Sequence, residues 1–185
     1  MYSLIRNTLG DGGILIDAED QRIRWQYLIE LNKLQEEDGL HLANKLTSMH
    51  LGWQSQKMKV NIAAQTLRSS VATAFEFCRL NLKLLQFEGS EATVKFIRLI
   101  DHLFDVLNSR NPIAKGYKAP LRQSNYHLWG PFLDEAFVYI KNLRDTAGNL
   151  MTSSRRKTPF IGFLCTIENR QVTTTTIIQT QNRPY

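Results

Sequence analysis

The polar residues best suited to binding a ligand or a metal ion lie on one predicted helix between positions 90 and 111. Their three- and four-residue spacing places four of them on a single face: Arg98, Asp101, Asp105 and Asn108. Two carboxylates one turn apart, followed by an amide, offer oxygen ligands that suit Mg²⁺ and accept hydrogen bonds from a purine base. The alternative is a solvent-exposed face on which the positive charge of Arg98 neutralises the negative charge of Asp101. Spacing alone favours this alternative. Phe104 is either a base-stacking or a core residue, and periodicity favours the core.

A second pattern with nucleotide-binding chemistry surrounds Lys45. The run Asn44-Lys45-Leu46-Thr47 begins like the base-reading NKxD motif of small GTPases, but Thr47 replaces the aspartate that accepts hydrogen bonds from guanine. A solvated Asn-Lys pair on a helix explains so short a match better. The phosphate-binding patterns GxxxxGK[ST] and GxGxxG are absent, and so is the GxSxG nucleophile elbow. Any nucleotide site is therefore expected to be of another kind.

No shared metal site or disulfide is predicted from the histidines and cysteines. The histidines are scattered over four segments, at positions 41, 50, 102 and 127, so only the tertiary fold could bring them together. Cys78 and Cys165 lie far apart and form no CxxC pair. This cysteine usage indicates a reducing, intracellular compartment.

The charge balance favours a polyanionic partner. The chain has 185 residues, with 23 lysines and arginines against 17 aspartates and glutamates, and a formal net charge of +6. Two basic loops could meet phosphates together, one with Lys115, Lys118 and Arg122 and the other at 155–157, although solvated loops are the commoner explanation. No apolar run approaches the 18 or so residues that cross a bilayer, so we expect a soluble protein of the cytosol or nucleus.

The first 39 residues are predicted to contain two helices and two small strands. Residues 4–9 form the first helix, and 14–16 and 22–24 are expected to be strands around an acidic turn. From Trp25 leucines recur at helical spacing up to a stop at Gly39: Leu28, Leu31 and Leu34. Residues 1–25 are an entry piece that is too small to fold alone, and the helical pattern begins after it.

Residues 59–80 carry the longest helical pattern in the chain. Its apolar positions predict one continuous helix with a buried stripe: Val60, Ala64, Leu67, Val71, Ala74 and Cys78. A short helix with Leu42 and Leu46 is expected before it. Ser90 is expected to cap a further helix that ends near Asn111, because a proline follows. This helix is predicted to bury an apolar stripe of Ala92, Phe96, Leu99, Leu103 and Leu107.

The last third of the chain is predicted to contain one more long helix. It begins with Pro131 in its first turn and buries a stripe of residues: Trp129, Phe132, Ala136, Ile140 and Leu143. Residues 160–167 are expected to be a strand or a buried turn, and the tail from Thr173 is expected to fray. Together these elements predict a mainly α protein, a single helical domain of four to five helices with minor strands near both ends.

Several strings resemble the GTP-binding insertion domain of P-element transposases and the related THAP-domain transposases. The resemblance extends over residues 4–167, and its most distinctive string is Phe104-Asp105-Val106-Leu107-Asn108-Ser109-Arg110-Asn111-Pro112. The other strings are Lys57-Met58-Lys59-Val60, Ala63-Ala64-Gln65-Thr66-Leu67, Gly89-Ser90-Glu91-Ala92-Thr93, Lys118-Ala119-Pro120-Leu121, Arg155-Arg156-Lys157-Thr158 and Gly162-Phe163-Leu164.

The resemblance implies a GTP site built from several segments. In that family a helical insertion interrupts a ribonuclease-H-like catalytic domain and binds GTP, which organises the protein and its DNA without supplying hydrolysis energy. Position by position, Lys45 would approach the phosphates, and Lys59 and Val60 would border the nucleotide. Three residues would line the pocket, with Asp105 contacting Mg²⁺ or its waters: Phe104, Asp105 and Asn108. Arg68 stands where relatives tend to carry a small serine.

The resemblance also predicts the organisation of the chain. Residues 1–25 would be a remnant of the catalytic core with entry strands, 26–167 the GTP-binding insertion and 168–185 a divergent, disordered tail. The three acidic residues that hold two catalytic metal ions in the family would lie outside the chain, as would an aspartate that reads the guanine base. We therefore expect a transposase fragment or domesticated remnant of the nucleus that binds GTP without cutting DNA. Loss of the base-reading acid predicts a selectivity loss of about 1–3 kcal/mol.

Three other functions remain open at this stage. The helices could form a scaffold that binds host protein or DNA through the basic loops, with no nucleotide; for the GTP-binding module, DNA or a transposase core is the expected partner. An active GTPase is less favoured, because no residue pair resembles a water-activating group beside a phosphate loop. A decayed reading frame without a selected role is the third.

Overall fold

A computed structural model describes residues 1–39, 42, 45–109, 111 and 113–181, without the side chains of 38, 123 and 171–181. In chain order the helices and strands are α1 Tyr2–Gly12, β1 Ile14–Ile16, β2 Arg22–Arg24, α2 Gln26–Asp38, α3 Ser48–Leu51, α4 Val60–Thr66, α5 Ser69–Glu76, α6 Glu91–Leu107, α7 Tyr126–Lys141 and α8 Thr158–Gln181. A π-helical turn spans Phe77–Asn81, and 3-10 turns span Leu85–Phe87, Gly116–Lys118 and Gln123–Asn125. The prediction of a mainly α protein is confirmed, although the described residues contain more helices than the four or five expected.

The two strands near the N-terminus form the predicted hairpin. β1 and β2 pair antiparallel, with Leu15 opposite Ile23. These two side chains are buried, whereas Asp17 closes the turn by accepting the backbone N–H groups of Glu19 and Gln21 at 2.9 Å each. The hairpin therefore contributes one apolar face to the core.

The core centres on α6, which packs most extensively against α5 and also contacts β2 and α7. Its predicted apolar stripe is buried at Ala92, Phe96, Leu99 and Leu103. Each fully buried side chain of the larger apolar type contributes about 1.5–3 kcal/mol to folding, so this stripe is a main source of stability. On the other side of the molecule, α1 packs against both α4 and α8.

The single helix predicted over residues 59–80 is wrong, because the chain breaks between α4 and α5. Arg68 has an extended backbone, with φ −84° and ψ 147°, and α5 begins at Ser69. Asp101 of α6 accepts hydrogen bonds from the Ser69 backbone N–H at 2.9 Å and from the Ser69 hydroxyl at 2.6 Å. A carboxylate from a distant helix thus satisfies a free N–H of a new helix start, which local periodicity could not indicate.

Other helix boundaries also differ from the expectations. Leu46 is buried but not helical, and α3 begins only after Thr47; the rest of the helix expected around Leu42 lies partly outside the described residues. Pro131 lies inside α7 and not in its first turn, although the predicted buried stripe of α7 is confirmed. Ser90 occupies the N-cap position of α6, but its hydroxyl makes no capping hydrogen bond.

The C-terminal part of the structure is helical where a strand or a buried turn was expected. Phe160, Phe163 and Ile167 are buried within α8, at the three- and four-residue spacing of a helix face. The backbone continues as helix to Gln181, which includes most of the expected tail. In the described part of the chain, no helix combines the length and apolar character needed to traverse a bilayer.

Candidate functional site

A small cleft lies where the segment before α3 meets the turn between α4 and α5. It is lined by Lys45, Gln65, Arg68 and Ser70 and has a volume of about 280 Å³. We call it the cationic cleft. Two cations, an amide and a hydroxyl offer hydrogen-bond donors, and none of the described residues that line the cleft is a carboxylate. Such a lining favours an anionic ligand, above all one with several phosphate oxygens.

The backbone that carries Arg68 is anchored on both sides. The Tyr2 hydroxyl donates to the Leu67 carbonyl oxygen at 3.1 Å, and burial raises the pKa of Tyr2 well above its usual range, so this donor stays protonated. On the other side, Asp101 holds Ser69 through the two hydrogen bonds described above. The turn is therefore fixed, while the Arg68 side chain itself is exposed.

The polar face of α6 is divided between structural and accessible residues. Arg98 does not offset Asp101, because its guanidinium pairs with Glu76 at 2.9 Å. Asp105 is half-buried, with its Oδ2 3.8 Å from the Lys118 Nζ. Burial raises the pKa of Asp105, whereas the nearby charges of Lys118 and Arg68 act in the opposite direction. Arg68 is thus both a wall of the cationic cleft and an electrostatic neighbour of Asp105.

Phe104 and Asn108 lie beside Asp105 at the end of α6. Phe104 is half-buried, with its ring centroid 4.5 Å from that of Tyr2, so part of its surface packs against the core. The Asn108 amide donates to the Phe104 carbonyl oxygen at 2.8 Å and satisfies a terminal carbonyl of the helix. Both side chains remain close to Asp105, but each makes a structural contact.

Lys59 and Val60 are exposed at the opposite end of α4 from the cationic cleft. Lys59 is the N-cap residue of α4, and Val60 is its first helical residue. The helical rise places them about 8–9 Å along the axis from Gln65 and the cleft. The structure therefore brings together Lys45 with Arg68, and Arg68 with Asp105, but gives Lys59 and Val60 no direct contact with that group.

The family model described as TNP-like, GTP-binding insertion domain matches residues 1–120. The chain belongs to this family.

Two relatives place the domain within larger proteins. The human DNA transposase THAP9 is 37% identical over 145 residues, which cover 78% of this chain and 16% of the relative. The solved Drosophila P element transposase strand transfer complex has a TM-score of 0.74 at 18% identity, covering 98% of this chain and 39% of that one. The structural match supports the same fold. This chain spans less than half the length of each relative, and the resemblance to P-element-type transposases is confirmed.

The two basic loops of this GTP-binding insertion domain form separate ion pairs. Lys118 faces Asp105 near the first turn of α1, whereas Arg156 forms an ion pair with Asp11 near its last turn. Tyr2 and Asp11 are nine residues apart on α1, which separates these ends by about 14 Å. Each loop also has a cation engaged by a carboxylate, which reduces the positive charge that a polyanion would meet.

The sequence interpretation missed Gln65 and Ser70, and it mentioned Arg68 only as a departure from relatives. The expectation of one helix over 59–80 concealed the turn that brings these residues to the cleft. The pair Ser69-Ser70 was the available signal, because serine is common at helix starts. Among the described residues, no cluster of three or more histidines, cysteines or acidic residues is arranged to hold a metal ion.

Proposed function

We propose that this domain binds GTP, with the phosphates in the cationic cleft and the nucleoside along the end of α6. The observation that carries the proposal is the cationic lining of the cleft by Lys45 and Arg68, with Arg68 also acting electrostatically on the half-buried Asp105. The family description, which names a GTP-binding insertion domain, supports the same ligand. The volume of about 280 Å³ is slightly below the 300–1,000 Å³ or so of complete small-molecule sites, so only part of the nucleotide would enter it.

Each residue has a separate role in the proposed complex. Lys45 and Arg68 would pair with phosphate oxygens, and Gln65 and Ser70 would donate hydrogen bonds to them. Phe104, Asp105 and Asn108 would border the nucleoside, and Lys59 and Val60 would form its outer edge. GTP would then connect the α4–α5 turn to α6 and restrict their relative motion, which is an organising role.

The residues present are compatible with Mg²⁺ accompanying the phosphates. Mg²⁺ is commonly held through one or two carboxylates together with phosphate oxygens and water. Asp105 would supply that carboxylate. Asp101 is already engaged, because its Oδ2 accepts hydrogen bonds from the backbone N–H and the hydroxyl of Ser69. When bound, Mg²⁺ would neutralise phosphate charge next to Asp105.

We propose binding without hydrolysis. No carboxylate or imidazole among the described residues lines the cationic cleft, and the proposal assigns the nearby Asp105 to Mg²⁺, so it includes no general base for an attacking water molecule. Incubation of the domain with GTP and Mg²⁺ should release no inorganic phosphate above a protein-free control. Release at a steady turnover that is lost in Arg68→Ala would contradict this part of the proposal.

Isothermal titration tests the binding itself. We expect saturable binding of GTP with Mg²⁺, and a loss of about ten-fold or more in affinity for Lys45→Ala and Arg68→Ala, because each removes a charge-assisted contact. Lys33→Ala is the matched control, since Lys33 is an exposed lysine paired with Glu37 on α2. No saturation at millimolar nucleotide would reject the site. Titration with ATP measures the guanine selectivity.

We further infer that the domain serves a DNA transposase of the P-element type in the nucleus, with DNA and a transposase core as partners, and does not itself cut DNA. The support is membership of the family and the DNA transposase named among its relatives. Imaging of the tagged chain tests the location, and exclusion from the nucleus would contradict it. Incubation with labelled DNA and Mg²⁺ should yield no cleavage.

A helical scaffold without nucleotide is the second candidate function. It is favoured by a hollow of about 500 Å³ between the end of α1 and residues 145–156, where Arg155 and Arg156 lie at the surface. A protein segment or DNA could dock there. Asp105→Ala distinguishes the two functions, because a scaffold that uses this distant hollow should retain its partner, whereas the nucleotide site should lose affinity.

A further inference from the structure

A buried histidine outside the cationic cleft contacts one of the residues that line it. His50 is 2% exposed and completes a reciprocal cap with Thr47 at the start of α3. The Thr47 backbone N–H donates to His50 Nδ1 at 3.1 Å, and His50 Nε2 lies 2.9 Å from Gln65 Oε1. The imidazole therefore joins the segment that carries Lys45 to the last turn of α4.

This hydrogen-bond pattern determines which way the Gln65 amide is oriented. A neutral imidazole has one acceptor nitrogen and one donor nitrogen. Because Nδ1 accepts from the Thr47 N–H, Nε2 carries the proton and donates to Gln65 Oε1. The Gln65 NH2 group is then left for the cleft that Gln65 lines, and within the described ranges it donates to no other protein group.

We propose that Gln65 determines the specificity of the cationic cleft for a phosphate chain, and that His50 is the positioning residue that holds its NH2 group toward that chain. If the amide were reversed, its carbonyl oxygen would face the anion and repel it. With the amide fixed by His50, all four lining residues present donors, which suits the several oxygens of a polyphosphate. The inference rests on the proposed function for its nucleotide, but it requires only the phosphate part.

Inorganic tripolyphosphate is the direct probe, because it has no base or sugar. Its affinity and that of GTP are measured by isothermal titration for wild-type protein and for Gln65→Glu. In this variant one carboxylate oxygen still accepts from His50, and the other presents negative charge to the cleft. We expect the tripolyphosphate affinity to fall by about ten-fold or more. Gln86→Glu makes the same chemical change at an exposed position of the turn Leu85–Phe87 and should leave the affinity unchanged.

Two variants of His50 separate positioning from a general structural role. Both glutamine and glutamate at this position can complete the reciprocal cap with Thr47. His50→Gln retains an N–H group to donate to Gln65, whereas ionised glutamate in His50→Glu has none and would draw the Gln65 NH2 group away from the cleft. We expect a loss of about ten-fold in tripolyphosphate affinity for His50→Glu and recovery to within about three-fold of wild type for His50→Gln.

Salt and folding controls complete the test. A loss in His50→Glu that came only from its added charge would diminish as salt rises from about 0.15 to 0.5 M, whereas amide reversal would persist. If circular dichroism shows that His50→Glu is unfolded, Gln65→Glu decides the outcome. Wild-type tripolyphosphate affinity in folded Gln65→Glu would overturn the inference while GTP binding stands. Absence of both GTP and tripolyphosphate binding in wild-type protein would reject the proposed function and the inference together.

Discussion

Asp101 and Asp105 are the same residue type, one turn apart on α6, yet they serve different purposes. Asp101 is 5% exposed and holds the start of α5 through Ser69. Asp105 is half-buried, and its carboxylate faces the exposed Lys118 at 3.8 Å. Removal of the Asp101 carboxylate would leave the donors of Ser69 without an acceptor. The partner of Asp105 is the exposed Lys118, which a ligand can displace. Helical spacing therefore identified a shared face, but the neighbouring elements decide which residue is available.

Asp101→Ala should produce the largest effect, on stability. The Ser69 N–H and hydroxyl would lose an ionised acceptor, and the extended Arg68 turn would lose its anchor. We expect a decrease of about 3 kcal/mol in the free energy of unfolding, measured by urea denaturation with circular dichroism. Asp105→Ala is the matched control on the same helix and should lose far less. Equal losses for the two variants would remove the distinction between them.

The sequence was sufficient for the elements whose burial follows local periodicity. The hairpin, α2, and the buried stripes of α6 and α7 were predicted because apolar residues recur there at strand or helix spacing. The break at Arg68 was not predictable in this way, since the carboxylate that stabilises it comes from Asp101, 32 residues after Ser69. The stripe over 59–80 is apolar on both sides of the break and therefore imitates a continuous helix.

The site was predicted in part for the same physical reason. Lys45, Phe104 and Asp105 were identified from motifs and resemblance, and the structure places Lys45 and Asp105 near Arg68. Gln65 was not identified, because its orientation depends on a tertiary hydrogen bond to His50. Apolar spacing indicates which face is buried, but it contains no information about which polar groups meet across elements.

Asp105→Ala should produce the second-largest effect, on GTP binding rather than on stability. Removal of the carboxylate eliminates the expected contact with Mg²⁺ or its waters, so we expect the affinity for GTP in the presence of Mg²⁺ to fall by about ten-fold. The same titration without Mg²⁺ should show a much smaller difference between variant and wild type. A loss that is independent of Mg²⁺ would assign Asp105 to the nucleoside instead of the metal.

The ionisation of Asp105 should also have a smaller effect on how the stability of the protein depends on pH. Burial raises the pKa of Asp105 in the folded state above its unfolded value, so ionisation of this carboxyl opposes folding. The penalty is absent below the unfolded pKa of about 4 and appears as pH rises through the folded pKa. Asp105→Asn should therefore gain stability relative to wild type between acidic and neutral pH, in paired urea titrations. A relative loss of stability over that range would contradict the direction of the pKa shift.

The smallest effect is expected for Lys118→Met, because its ion pair is largely exposed. Surface pairs of this kind contribute about 0–1 kcal/mol, so the free energy of unfolding should change little. The pKa of Asp105, followed by NMR of its carboxyl carbon, should nevertheless rise further, since Lys118 is the nearby cation that most lowers it. Lys115→Met removes an exposed lysine of the same loop and is the control. An unchanged Asp105 pKa would mean that Lys118 does not face this carboxylate. The contrast with Asp101 would then rest on burial alone.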